Sequence, residues 1–345
     1  MTEEIDGNDW SFTPSEAFDA IVFMNAVSQD DFYARHYPSL RAEWEPKLGV
    51  DGLEYIDNRP FSSSALCALL HHVGVRTLDD VVECLESFAS TRTAIEQALD
   101  QDSSLPESSR ASKLQLLNTL DSNRDTVLQG FVLLIKAGFH KHWTSRILPE
   151  LENAADAAQK RMASVPLQPI RERISMFLGS ERTPSGNDVY LTNYVKPIAF
   201  ALPGGGMVTH PDYMPDPKKV AQLCIHETLH GFPGASEAIA QQDKLRVDPE
   251  FERQYQDLLT RWKSGPEEYL VTGAEAYLTE DLGIRSYEEC INYLDSQNGG
   301  MPLSKRLYLR LRERRPDLSP GWQGFGAWVT TELAEGRIWP FAEIE

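Results

Sequence analysis

The feature that most narrows the fold is the run Val-Tyr-Leu-Thr-Asn-Tyr-Val-Lys-Pro-Ile-Ala-Phe-Ala at 189–201, the best strand candidate in the chain. Its β-branched and aromatic side chains suit a half-buried pleated surface. Pro203-Gly204-Gly205-Gly206 then reads as a tight turn, and Met207–His210 as a second short strand. Almost everything before residue 166 reads instead as helix. Thr13-Pro14-Ser15-Glu16 has the order of a helix start, with Thr as N-cap, Pro in the first turn and Glu at the capping-box position. Ala17, Phe18, Ile21 and Val22 follow at helical spacing. Further helices are expected near 62–73, 77–88, 107–121, 125–138 and 142–163, with turns at Ser122–Arg124 and Gly138 and a loop over 101–109. The stretch 182–187, rich in turn residues, leads into the strand run. The expected fold class is therefore α+β and mainly helical, with a small sheet.

Just after the strands, Asp216-Pro217 starts another helix, and Gly231 and Pro233 stop it. That helix carries His226-Glu227-Thr228-Leu229-His230. Histidines four apart lie one above the other on a helix, so their imidazoles can grip one metal ion. Glu227 sits beside them, placed to take a proton from a metal-bound water. Zinc lowers the pKa of such a water to about 7, within reach of a carboxylate at neutral pH. A catalytic zinc takes three protein ligands and keeps one position open, so one zinc per chain is expected. The third ligand must come from elsewhere. A metzincin pattern would need Gly at 233 and His at 236, where this chain has Pro233 and Ser236. Glu275 is the strongest candidate, on a predicted helix where Gly273, Ala274 and Ala276 permit close approach to the motif helix. Glu237, Glu267, Glu268 and Glu280 compete for the role.

The motif followed by Glu275 in a Gly-Ala-Glu-Ala-Tyr setting resembles the gluzincin metallopeptidases over about 190–282. The resemblance implies that His226, His230 and Glu275 bind zinc and that Glu227 is the general base of peptide-bond cleavage. It also implies a zincin-like catalytic domain, which the change of texture near residue 166 bounds at 166–345, with the sheet and motif helix at 166–232 and a C-terminal helical subdomain at 233–345. An N-terminal helical domain, 1–165, precedes it. In that class a sheet-edge strand pairs with substrate backbone; Met207–His210 or part of Val189–Ala201 would do so here. A donor to the developing oxyanion is also implied. Tyr277 heads the candidates, with Tyr269 and Tyr287 behind it, and His210 and Tyr213 approach as substrate-binding residues from the strand side. Thr279, one turn beyond Glu275, is placed to hold a metal-bound histidine. The chain lacks the Gly-x-Met-Glu-Asn motif of aminopeptidases.

The net charge of −19 makes nucleic acid and anionic membranes poor partners but does not choose a substrate; the peptide or protein substrate is what the resemblance implies. No apolar stretch is long enough to span a membrane, and the acidic start MTEEIDGNDWSF is unlike a signal peptide. Four scattered cysteines without CxxC spacing read as reduced thiols, so a cytoplasmic location is expected. His71, His72, His140 and His142 lack a companion carboxylate motif and read as core or surface histidines. The basic run Lys305–Arg315 reads as a salt-bridged helix face. Two other functions fit the same residues: a non-peptidase zinc hydrolase, and a helical interaction protein with a structural or vestigial zinc site.

Overall fold

The computed structural model describes residues 10–101, 107–180, 188–297 and 300–339. Among them the chain is mainly helical, with one four-stranded sheet. The expected turn at 182–187 and most of the acidic N-terminus fall outside the described residues, as does the centre of the 101–109 loop. The chain forms two compact units, Met1–Val165 with Ser185–Pro217 and Pro166–Pro184 with Lys218–Glu345. The expected division placed the sheet with the motif helix in one catalytic domain. The strands instead belong to the unit built on the N-terminal helices, because their neighbours in the ladder begin at residue 11.

In that first unit the strands β1 (Ser11–Pro14), β2 (Asp188–Leu191), β3 (Phe200–Ala201) and β4 (Met207–Thr209) run in the order β1-β2-β4-β3. β1 and β2 are parallel, β2 and β4 are parallel, and β3 and β4 form an antiparallel hairpin across the Pro203–Gly205 turn. Thr13 and Pro14, expected to open a helix, are strand residues, paired with Tyr190 and Leu191. Pro14 is tolerated because β1 is an edge strand. The helix starts two residues later, where the Ser15 side chain accepts from the Phe18 amide at 3.2 Å.

That helix, Glu16–Val27, is buried along its whole length. Its Phe23 ring lies 4.7 Å from Trp44 and 5.0 Å from both Phe139 and Tyr194, in edge-on contacts favoured between aromatics. Asp19 on the same helix accepts from the Asn193 and Tyr194 amides and from the Trp143 indole, tying the segment after β2 to the helix. Burial raises its pKa to about 7, against the pull of those hydrogen bonds. The expected turn at Ser122–Arg124 is absent, since Glu107–Lys136 is one helix. Ser122 and Asn123 donate to the carbonyls of Asn118 and Thr119, at 2.9 and 2.8 Å. Their polar side chains are satisfied by the preceding turn, so they do not break the helix.

The second unit is built around the motif helix, Pro217–Leu229, and the glutamate helix, Glu268–Asp281. The glutamate helix is buried from Glu268 to Thr279, which places two carboxylates inside the unit. Its small residue Gly273 serves the contact with Pro302–Arg314, where a Cβ would stand 2.8 Å from the Ser304 carbonyl oxygen and 2.9 Å from Leu307. The expectation that Gly273 admits the motif helix is corrected accordingly. The basic run on Pro302–Arg314 is ion-paired, with Arg310 on Glu332 at 2.8 Å and Arg312 on Glu280 at 3.0 Å.

Candidate metal centre

The motif helix ends at Leu229 and Gly231 turns the chain away with φ of 68°, so His230 sits at the helix terminus, one turn beyond His226. Each imidazole meets its own carboxylate through Nδ1. Oε2 of Glu275 lies 2.7 Å from Nδ1 of His226, and Oε1 of Glu267 lies 2.7 Å from Nδ1 of His230. An ionised carboxylate only accepts, so each Nδ1 carries a hydrogen, and it is the Nε2 proton that each ring gives up to free a lone pair for a metal. The two Nε2 atoms are 3.2 Å apart.

Two nitrogen lone pairs at that separation repel unless a cation or proton lies between them. Zinc at about 2.0–2.1 Å from each nitrogen, with a near-tetrahedral angle, would separate them by about 3.3 Å. The observed spacing fits. Glu268 supplies the third donor: Oε1 is 3.6 Å from Nε2 of His226 and Oε2 is 4.0 Å from Nε2 of His230. One donor atom from each of His226, His230 and Glu268 lies within 4.8 Å of the others. Two imidazoles and one carboxylate are a donor set that catalytic zinc uses.

The electrostatics favour a cation here. Burial would depress the His226 pKa, but Glu268 and Glu275 outweigh it and raise the value to about 10. Burial opposes the charge on His230 too, and the hydrogen bond to Glu267 overcomes it, so its pKa is also raised. Glu227 is buried beside both rings, and that burial pushes its pKa up against the attraction of the two histidines. Among the described residues its carboxyl group makes no hydrogen bond, and its oxygens are not among the fully buried atoms left without a partner.

Glu275, expected as the third ligand, is brought to His226 but to the opposite edge of the ring from the donor cluster. Its carboxylate accepts from Gln222 and, at 3.2 Å, from the Tyr293 hydroxyl. Glu268, one of its competitors, is the residue whose carboxylate faces the two Nε2 atoms. The physical reason is helical phase: Glu268 and Glu275 are seven residues, two turns, apart on one face, and the earlier one reaches the Nε2 side. Tyr277 does not serve the centre, because its hydroxyl donates to Asp317 at 2.7 Å and its ring packs on Phe177. Tyr269 is buried against Phe251, and Tyr287 stacks on Tyr308. Thr279 donates to the carbonyls of Glu275 and Ala276 rather than to a histidine.

His210 and Tyr213 lie in the first unit and have local partners. Nδ1 of His210 accepts from the Asp212 amide at 3.0 Å, and the Tyr213 hydroxyl donates to the Pro197 carbonyl at 3.1 Å. Met207–Thr209, one candidate for a substrate-pairing edge, is flanked by β2 and β3 on its two sides. Sequence reasoning missed Gln222 and Tyr293. Gln222, four residues before His226 on the same helical face, had a positional signal; Tyr293 had none. Comparisons with known protein families, with curated proteins and with solved structures find no match to this chain. Among the described residues no helix is long and apolar enough to cross a membrane, and the four cysteines are free thiols.

Proposed function

We propose that this chain is a mononuclear zinc hydrolase acting on peptide bonds, with a centre of gluzincin type in which Glu268 is the third ligand. The observation that carries the reading is the pairing of two kinds of carboxylate at one site. Glu267 and Glu275 fix the imidazoles through Nδ1, while Glu227 is a buried residue close enough to both rings for their charges to act on its carboxyl group. A structural metal site needs the first kind and has no use for the second. When bound, zinc would polarise a substrate carbonyl and lower the pKa of a coordinated water. Glu227 would take the proton of the attacking water on its free carboxylate oxygen and pass it to the leaving amine. Its burial supports this role, because a raised pKa brings a carboxylate closer to the proton affinity a base needs near neutrality. His226, His230 and Glu268 hold the ion, and Glu267 and Glu275 keep the two rings from turning.

The zincin-like fold, the peptide substrate and the cytoplasmic setting belong to this proposal. Metal analysis of the purified chain is expected to find about one zinc per chain, lost on His226→Ala or His230→Ala. A peptide-library assay comparing wild type with Glu227→Gln tests the reaction. Cleavage by the first and none by the second is expected. Zinc-loaded wild type that cleaves no peptide but hydrolyses a small ester or amide would move the reading to a non-peptidase hydrolase. Wild-type protein without zinc affinity would end it.

A further inference from the structure

Glu275 is fully buried, yet among the described residues no lysine or arginine touches it. A carboxylate in that setting must be held by hydrogen bonds. Oε2 takes the His226 Nδ1 contact at 2.7 Å and the Tyr293 hydroxyl at 3.2 Å. Oε1 accepts from Nε2 of Gln222, itself buried. The other end of the Gln222 amide, Oε1, accepts from Nε of Arg285 at 2.8 Å. Arginine only donates and an ionised carboxylate only accepts, so the amide between them has one permitted orientation. The positive charge of Arg285 thus reaches Glu275 through a polarised amide rather than by contact. His230 has no such backing: its partner Glu267 is a quarter exposed to solvent, and water can help orient it.

We propose that Gln222 and Arg285 are positioning residues of the metal centre, holding Glu275 so that the hydrogen stays on Nδ1 of His226 and its Nε2 lone pair faces the ion. This inference rests on the zinc-centre reading above. Neither residue touches the donor cluster, so their effect on the metal would pass through Glu275 and His226.

The test uses the full chain as wild type, Gln222→Leu, Arg285→Gln and Arg285→Lys. Zinc affinity would be read by competition with a chelator and ligand geometry by the visible absorption of the cobalt-substituted protein. Thermal melting of the metal-free forms would report folding separately. Gln222→Leu is expected to weaken zinc binding by about 10–100-fold, the usual effect of losing a partner behind a ligand, and to shift the cobalt bands. Arg285→Gln should weaken it less, and Arg285→Lys, which keeps a cationic donor, should recover part of that loss. If Gln222→Leu fails to fold, the more exposed Arg285 pair carries the comparison. Zinc affinities within twofold of wild type and an unchanged cobalt spectrum in folded variants would overturn the inference. Failure of the parent reading is seen separately, in wild type that binds no zinc.

Discussion

The two carboxylates of the glutamate helix make opposite claims on the metal, and removing them one at a time separates the claims. Glu268 faces the Nε2 side of both rings at 3.6 and 4.0 Å, whereas Glu275 meets His226 at Nδ1. Glu268→Gln deletes a negative charge in direct reach of the ion and keeps the side-chain shape. Breaking a buried charge pair by removing one partner costs about 3–5 kcal/mol, and each 1.4 kcal/mol is a factor of ten. Zinc affinity should fall by roughly 100- to several-thousand-fold, with the upper part of the range expected because Glu268 is mostly buried. Glu275→Gln leaves the donor set intact and disturbs only the orientation of His226, for a loss of about 10–100-fold. The assay is equilibrium competition with a chelator of known affinity, at fixed pH and ionic strength, on variants whose metal-free forms melt like wild type. A larger loss for Glu275→Gln than for Glu268→Gln would refute the assignment and restore Glu275 as the ligand.

Glu227→Gln should keep zinc stoichiometry and lower turnover by about 100- to 10,000-fold, the range of a general base; retained turnover in a zinc-loaded variant would remove Glu227 from the chemistry. Zinc binding at pH 7.5 should release at least about one proton per ion, because the raised His226 and His230 pKa values hold protons in the metal-free protein that the ion must displace. Titration calorimetry in buffers of different ionisation enthalpy reads that number, and no buffer dependence would contradict it. The same shift sets the sign for stability. The contribution of His226 to the metal-free fold is fully present below its unfolded pKa and is lost as pH rises through about 10, so denaturation midpoints of the metal-free protein should fall on that limb. Gly273→Ala should destabilise the second unit by about 1–3 kcal/mol, since the new methyl meets the backbone carbonyl of Ser304 and cannot be accommodated by a rotamer change. Unchanged stability in chemical denaturation would mean that the helices separate freely there.

The centre was legible in sequence to the extent that helical geometry determines it. The four-residue spacing of His226 and His230 fixes a shared face, and the caps Gly231 and Pro233 fix where the helix ends, so the pair of imidazoles arises from local rules. The third donor does not. Glu267, Glu268 and Glu275 all lie in the 267–275 stretch, and which one meets Nε2 depends on how two helices pack side by side. Packing also decides that Gly273 faces Ser304 and Leu307 rather than the motif helix. The sheet shows the same limit from the other direction. The run at 189–201 is strand-like by composition, but its partner β1 is recruited from residues 11–14, where Thr-Pro-Ser-Glu also satisfies the rules for a helix start. Local preference there was ambiguous by two residues, and a ladder with a segment more than 170 positions away resolved it. Gln222 lies between these cases. Its place on the His226 face is a matter of helical phase, but its meaning depends on Glu275 and Arg285 arriving from a distant part of the chain. The chemistry therefore leans on packing by degrees: the ligand pair rests on one helix and the third ligand on two. The line that holds His226 in place needs both helices and, in Arg285, the turn that follows the second.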